Sequence, residues 1–207
     1  MAHEQVWSAQ TALVLASRSK IRRELLQAAG IHPEIIAADV NEREIENDYL
    51  TRGSPVENLA SALAQAKAEA VSAERPESYC LGADQVLLVD GRVMHKPGSL
   101  AEAAESIASL SGRTHCLISA FCIVRSRRAI SADADRAFLT MRPLGRGAIT
   151  RYLDLAGSAV TTSVGAYQFE GLGRHLFERV EGDCSTIQGL PMLKLLAALR
   201  GAGLVSL

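Results

Sequence analysis

Three features of the sequence predict an α/β fold. Strand-length apolar runs alternate with amphipathic or alanine-rich helical stretches along the 207 residues. Residues 12–17 form one such run and pass directly into a helix through Ser17 and Ser19. Two further runs flank Asp90-Gly91, the strongest short hairpin signal. The length suits one compact domain or two small lobes, and it buries enough surface to need no covalent staples.

Each element has a local reason. Residues 12–17 read as a buried strand. The first helix runs from about Ser19 to Ala29, with Leu25 and Leu26 on its apolar face and Gly30 as its stop. Residues 33–38 are a second strand candidate, leading into an acidic loop, Asp39 to Glu44. Pro55 starts an alanine-rich helix through Leu59, Leu63, Ala66 and Ala70 that can pack closely. The hairpin around Asp90-Gly91 follows, and within it Gly82 permits close approach of backbone or ligand. Ser99, Glu102 and Ser111-Gly112 bracket a helix to Leu110. Two long strands, about 114–125 and 129–141, turn at Ser126-Arg127-Arg128. A helix over about 147–155, a glycine-punctuated loop over 165–173 and a last helix from Pro191 to Arg200 close the chain.

Composition narrows the function. Hydrophobic residues are 48 % and charged residues 22 %, as in a soluble globular protein. A net charge of -1 gives no reason to expect a nucleic-acid polymer or a membrane surface as partner. A polyanionic substrate then needs a local basic pocket. Cys80, Cys116, Cys122 and Cys184 form no CxxC pair and read as small buried hydrophobes in a reducing compartment. No run reaches the ~20 apolar residues of a membrane span. Met1–Gln10 has His3, Glu4 and Gln5 where a signal peptide needs positive charge and then an apolar core, so the expected location is cytoplasmic.

The stretch from Ala12 to Leu26 draws the chemistry together. Serine hydroxyls, a helix N-terminus and Arg22 at one point make an anion site. The same residues also fit an ordinary strand-to-helix turn with a serine cap. Arg22, Lys67 and Lys96 offer cations near element ends, and Glu42 and Asp84 offer carboxylates. Phosphoryl chemistry needs both kinds, the carboxylates to hold a divalent metal or to activate water. Surface lysines and an acidic loop account for the same spacing without any site.

Five blocks in order resemble the Maf family of nucleoside triphosphate pyrophosphatases. They are Leu15 to Leu26 (family L-A-S-x-S-P-R-R-x-E-L-L), Leu63 to Ala68, Gly82 to Val86 followed by Lys96-Pro97, Gly165 to Gly173, and Ile187 to Pro191. The resemblance implies a single Maf-like domain over residues 1–207. Its expected fold is a Maf/ITPase-like elongated mixed sheet flanked by helices, with two lobes around a central cleft, and its expected assembly is a homodimer. It implies cleavage of the α–β phosphoanhydride to a monophosphate and pyrophosphate with Mg²⁺, Mn²⁺ or a similar ion, as nucleotide house-cleaning. Carried over, Ser19 and Arg22 bind phosphate, Lys67 and Lys96 clamp the triphosphate, and Glu42 helps hold the metal. Asp84 is the proton acceptor for the attacking water or a metal ligand that orients it.

Three positions bear on the base. Ile21, Gln85 and Glu170 stand where the dTTP/UTP branch has arginine, threonine and glutamine. Gln85 and Glu170 resemble the 7-methyl-GTP branch. A carboxylate at Glu170 suits guanine N–H donors and an N7-methylated ring. Ile21 can stack on a base but lacks the cation–π contact of the tryptophan often found there. Lys20 replaces the motif's proline. The alternative function is a nucleotide-binding regulator of cell division, since the family is also linked to septum formation; a monophosphatase is a further option, releasing free phosphate.

Overall fold

A computed structural model describes residues 6–207; His3, Glu4 and Gln5, used above against a signal peptide, lie outside them. Seven strands make one mixed sheet: β1 Leu13–Leu15, β2 Glu34–Ile35, β3 Tyr79–Val89, β4 Arg92–Met94, β5 Thr114–Arg125, β6 Arg128–Met141 and β7 Phe177–Glu181. Their order is β2-β1-β3-β5-β6-β7, with β4 beside β3. β1 is parallel to β2 and to β3, with Leu13 opposite Tyr79 and Leu15 opposite Leu81. β4 and β7 are antiparallel to β3 and β6. The helices are α1 Lys20–Ala28, α2 Glu42–Thr51, α3 Leu59–Glu74, α4 Leu100–Leu110, α5 Arg146–Ala156, α6 Cys184–Ile187 and α7 Met192–Gly201. Parallel pairing needs long crossovers, and α1 to α3 supply them.

The chain divides into two compact units. The first holds the residues up to Gln85, Ser119–Asp135 and Gly189–Leu207; the second holds Val86–Ile118 and Arg136–Gln188. Leu13, Leu15, Leu26, Leu81, Phe121 and Leu195 lie in the core of the first. Ile107, Leu110, Leu117, Leu139, Met141 and Tyr167 lie in the core of the second. Each fully buried side chain of this size contributes about 1.5–3 kcal/mol before entropy is counted.

Most elements form where expected, and the exceptions have physical causes. The expected acidic loop at 39–44 instead opens α2. Asn41 caps it by accepting from the Glu44 amide, and Glu42 and Glu44 sit at the positive end of the helix dipole. No residue of α2 is buried, so no apolar stripe announces it. β7 carries three charges in five residues and is exposed along most of its length, which hides it from a hydrophobic pattern. The hairpin at Asp90-Gly91 has both residues at positive φ (49° and 72°), as a type I′ turn requires. Ser126 and Arg127 take the same conformation without a glycine (48° and 60°). Their turn is tied down by Ser126 N–H to the Pro76 carbonyl and Arg127 N–H to Ser72 Oγ. Cys80 and Cys122 are buried, but Cys184 is exposed at the start of α6, so the buried-hydrophobe reading fails there.

Candidate active site

A close contact between α3 and β3 builds the site. Gly82 lies on β3, and a Cβ there would stand 2.0 Å from the Ala64 carbonyl oxygen and 2.6 Å from the Ala68 nitrogen. The helix backbone therefore rests directly on the strand, which only glycine on one side and alanines on the other allow. Strand alternation puts Asp84 on the same face as Gly82. Helical spacing puts Lys67 in the turn between Ala64 and Ala68. As a result Lys67 Nζ donates to Asp84 Oδ1 at 2.5 Å and lies 2.8 Å from Glu42 Oε1. Lys67 and Asp84 are 7 % and 8 % exposed, so the pair must offset its own desolvation. Glu42, at the first turn of α2, stays largely in solvent.

The strand-to-helix turn forms a second knot in the same unit. Ser19 caps α1, its Oγ accepting from the Arg22 amide at 3.4 Å. Ser17 Oγ accepts from the Ser19 amide and from Arg22 Nη1, each at 3.2 Å. Arg22 Nη1 also donates to the Ala83 carbonyl at 2.8 Å, and Nε donates to the Gly189 carbonyl at 2.8 Å. The guanidinium thus clamps the start of α1, β3 and the segment before α7. β3 pairs with β1 as far as Leu81 and with β4 from Leu87, and Ala83 lies in between. Burial pushes Arg22 below its ordinary range, while Asp84 and Glu42 pull it back up. Lys20, by contrast, is on the surface, in an exposed pair with Glu24.

The specificity candidates are spread more widely. Gln85 alternates to the face opposite Asp84, and its Nε2 donates to Ser119 Oγ at 3.0 Å. Ile21 is half-buried on α1. Lys96 and Glu170 belong to the second unit and are exposed. Lys96 lines a cavity of about 490 Å³ with Arg92, Met94, Glu102 and Glu105. The first unit therefore brings together Ser19, Arg22, Glu42, Lys67, Asp84 and Gln85. Ser119 lies in none of the sequence motifs, and Gly189 enters them only within the Ile187 to Pro191 block. The one signal for Ser119 is a serine inside an otherwise apolar strand, and for Gly189 a glycine before Leu190-Pro191.

The donor set can be tested against a divalent metal. Among the described residues no cluster of three or more His, Cys, Asp or Glu side chains is suited to hold an ion. Glu42 and Asp84 nevertheless converge on one positive charge, the Lys67 ammonium. Two carboxylates that leave the other positions to water or a ligand fit a hard ion such as Mg²⁺ and do not fit a closed structural site. Among the described residues no helix is long and apolar enough to cross a membrane.

Residues 12–202 match the family model described as Maf-like protein. A nucleoside triphosphate pyrophosphatase of Nitrobacter hamburgensis is 48 % identical over 203 residues, covering 98 % of this chain and 99 % of that protein. A 7-methyl-GTP pyrophosphatase of Rhizobium etli is 46 % identical over 193 residues, covering 93 % and 97 %. One of the same description from Rhizobium meliloti is also 46 % identical over 193 residues.

Proposed function

The chain belongs to the Maf family, and from that premise we propose that it is a nucleoside triphosphate pyrophosphatase. Water attacks the α-phosphorus, the α–β anhydride bond breaks, and a monophosphate and pyrophosphate leave. The observation that carries this reading is the buried Lys67–Asp84 pair with Glu42 on the same ammonium. Beside a triphosphate an ionised carboxylate is repelled unless a cation offsets it or the chemistry uses it. Asp84 accepts a proton from the attacking water or orients that water as a metal ligand. Lys67 holds Asp84 Oδ1 in place and supplies positive charge where the phosphates arrive. Ser19 and Arg22 form the phosphate end at the start of α1, and the family resemblance assigns Lys96 to the triphosphate as well.

Glu42 and Asp84 are the residues that would hold a divalent ion. When bound, the ion offsets phosphate charge and polarises the phosphoanhydride. Residues 1–207 act as one domain in this reading, supported by a family match that runs through both units. The family resemblance also supports a homodimer working in the cytoplasm.

The base proposed is 7-methylguanine, on the strength of Gln85 and Glu170; Ile21 can stack on it without the cation–π contact of a tryptophan. The relatives' names divide between the general and the 7-methyl-GTP description, so the assay must separate them. Pyrophosphate release is compared for 7-methyl-GTP, GTP, UTP and dTTP, with and without Mg²⁺ and with Asp84→Asn as control. The expected result is metal-dependent pyrophosphate, fastest from 7-methyl-GTP and abolished by the substitution. Predominant dTTP or UTP hydrolysis overturns the base, and free phosphate in place of pyrophosphate overturns the reaction.

A further inference from the structure

We propose that Arg22 is a positioning residue for Asp84, holding the peptide plane from which that carboxylate projects; this rests on the reading of Asp84 as the group that acts on the attacking water. The ladder between β1 and β3 shows the need for it. The Leu81 carbonyl accepts from the Ala16 amide at 2.8 Å. Carbonyls two residues apart on a strand point to the same edge, so the Ala83 carbonyl faces β1 as well. The next donor in line is the amide of Arg18, but β1 ends at Leu15 and the chain has turned through Ser17 and Ser19 into α1. Arg22 Nη1 supplies the donor in its place, at 2.8 Å.

The Ala83 carbonyl is the near half of the peptide that leads into Asp84. That unit is planar, so a fixed oxygen fixes the plane in which the Asp84 Cα lies. Asp84 is thus held at both ends. Lys67 Nζ donates to its Oδ1 at 2.5 Å, and Arg22 takes the carbonyl just before it.

The guanidinium is itself aimed from three sides. Besides Ala83, it donates from Nε to the Gly189 carbonyl at 2.8 Å and from Nη1 to Ser17 Oγ at 3.2 Å. Gly189 has φ +98°, a conformation that favours glycine, and a Cβ there would lie 3.4 Å from both Nε and Nη2. Arginine has five N–H donors and no acceptor, so each of these bonds has one possible direction. The Nε proton and both Nη1 protons are spent on the protein, and only the two on Nη2 fall to a phosphate. Lysine carries the same charge without the fork, so it cannot hold Ala83 and Gly189 together.

The test is steady-state kinetics of Arg22→Lys on the nucleotide that the wild type hydrolyses fastest, at a temperature where circular dichroism shows the variant folded. Its kcat is expected to fall on the order of 100-fold, the cost of misplacing a catalytic group by about 1 Å. Its KM is expected to stay within about threefold of wild type, because the charge that meets phosphate remains. Ser17→Ala is the milder variant should Arg22→Lys not fold, since it keeps both carbonyl bonds and loosens only Nη1. Its kcat is expected to fall about 3- to 10-fold, the range of one hydrogen bond, with KM again unmoved. A raised KM with wild-type kcat in either variant assigns the guanidinium to the phosphates alone and overturns the proposal. Wild-type kcat and KM in both variants overturn it too. Those results leave the pyrophosphatase reading in place, whereas a wild type that releases no pyrophosphate from any nucleotide overturns that reading and this inference with it.

Discussion

Gly82→Ala tests whether the contact between α3 and β3 is what assembles the site. Gly82 is not among the residues at positive φ, so its backbone accepts alanine and the effect is purely steric. The added carbon would sit 2.0 Å from the Ala64 carbonyl oxygen, 2.6 Å from the Ala68 nitrogen and 2.9 Å from the Ala68 Cβ. Two of these are helix backbone and cannot swing aside. Ordinary contact begins near 3.4 Å, so helix and strand must part by about 1.4 Å at Ala64. A parting along the Lys67–Asp84 contact, now 2.5 Å, takes it to about 3.9 Å, beyond hydrogen-bond range. Overpacking of this kind costs about 1–3 kcal/mol, and each kcal/mol lowers Tm by about 2–4 °C in a chain this size. Misplacing a catalytic group by about 1 Å costs on the order of 100-fold in rate. Pyrophosphate release and thermal unfolding should therefore both fall, with circular dichroism showing that the variant is folded at the assay temperature. A variant with wild-type Tm and a rate within about threefold of wild type would refute the reasoning.

Two other perturbations follow from buried charge. Lys67→Met leaves the Asp84 carboxylate buried without its cation and should destabilise the fold by about 3–5 kcal/mol; denaturant titration should show Lys67→Met/Asp84→Asn to be more stable than Lys67→Met alone, and equal stabilities would contradict a desolvated pair. His115 is buried, donates to or accepts from Tyr167 Oη at 2.6 Å through Nε2, and is pushed down to about 4 by burial. The unfolded chain then takes up the proton first, near pH 6.5. Stability should be complete above that value and fall by about 3 kcal/mol as pH drops to 4. Unfolding curves at pH 7 and pH 5 should show the loss in the wild type and a flatter response in His115→Gln; parallel responses would exclude His115 as the cause.

Much of the fold was legible because local chemistry repeats at short range. Ser99 and Glu102 announce α4, and the structure shows the expected forward bond, Glu102 N–H to Ser99 Oγ, while Glu102 Oε2 reaches one residue further back and accepts from Gly98 N–H. Asp90-Gly91 announces its hairpin for the same reason. α2 and β7 were missed because neither buries an apolar stripe. Their placement comes from a cap, a dipole and a neighbouring strand.

The sequence by itself determined the residue types and their order: a capped turn with Arg22, a glycine two positions before Asp84, and Lys67 in an alanine-rich helix. These are properties of neighbours along the chain, and the family resemblance adds their expected roles. Only the tertiary structure decided what each group touches. Lys67 and Asp84 are seventeen positions apart, and they meet because Gly82 has no side chain to hold α3 away. Arg22 was read as a phosphate ligand, yet in the folded chain its guanidinium first binds the carbonyls of Ala83 and Gly189, the latter 167 positions away. Ser119 carries no motif, and its hydrogen bond to Gln85 exists only because β5 lies beside β3. Contacts of this kind depend on packing distance, which no local pattern encodes.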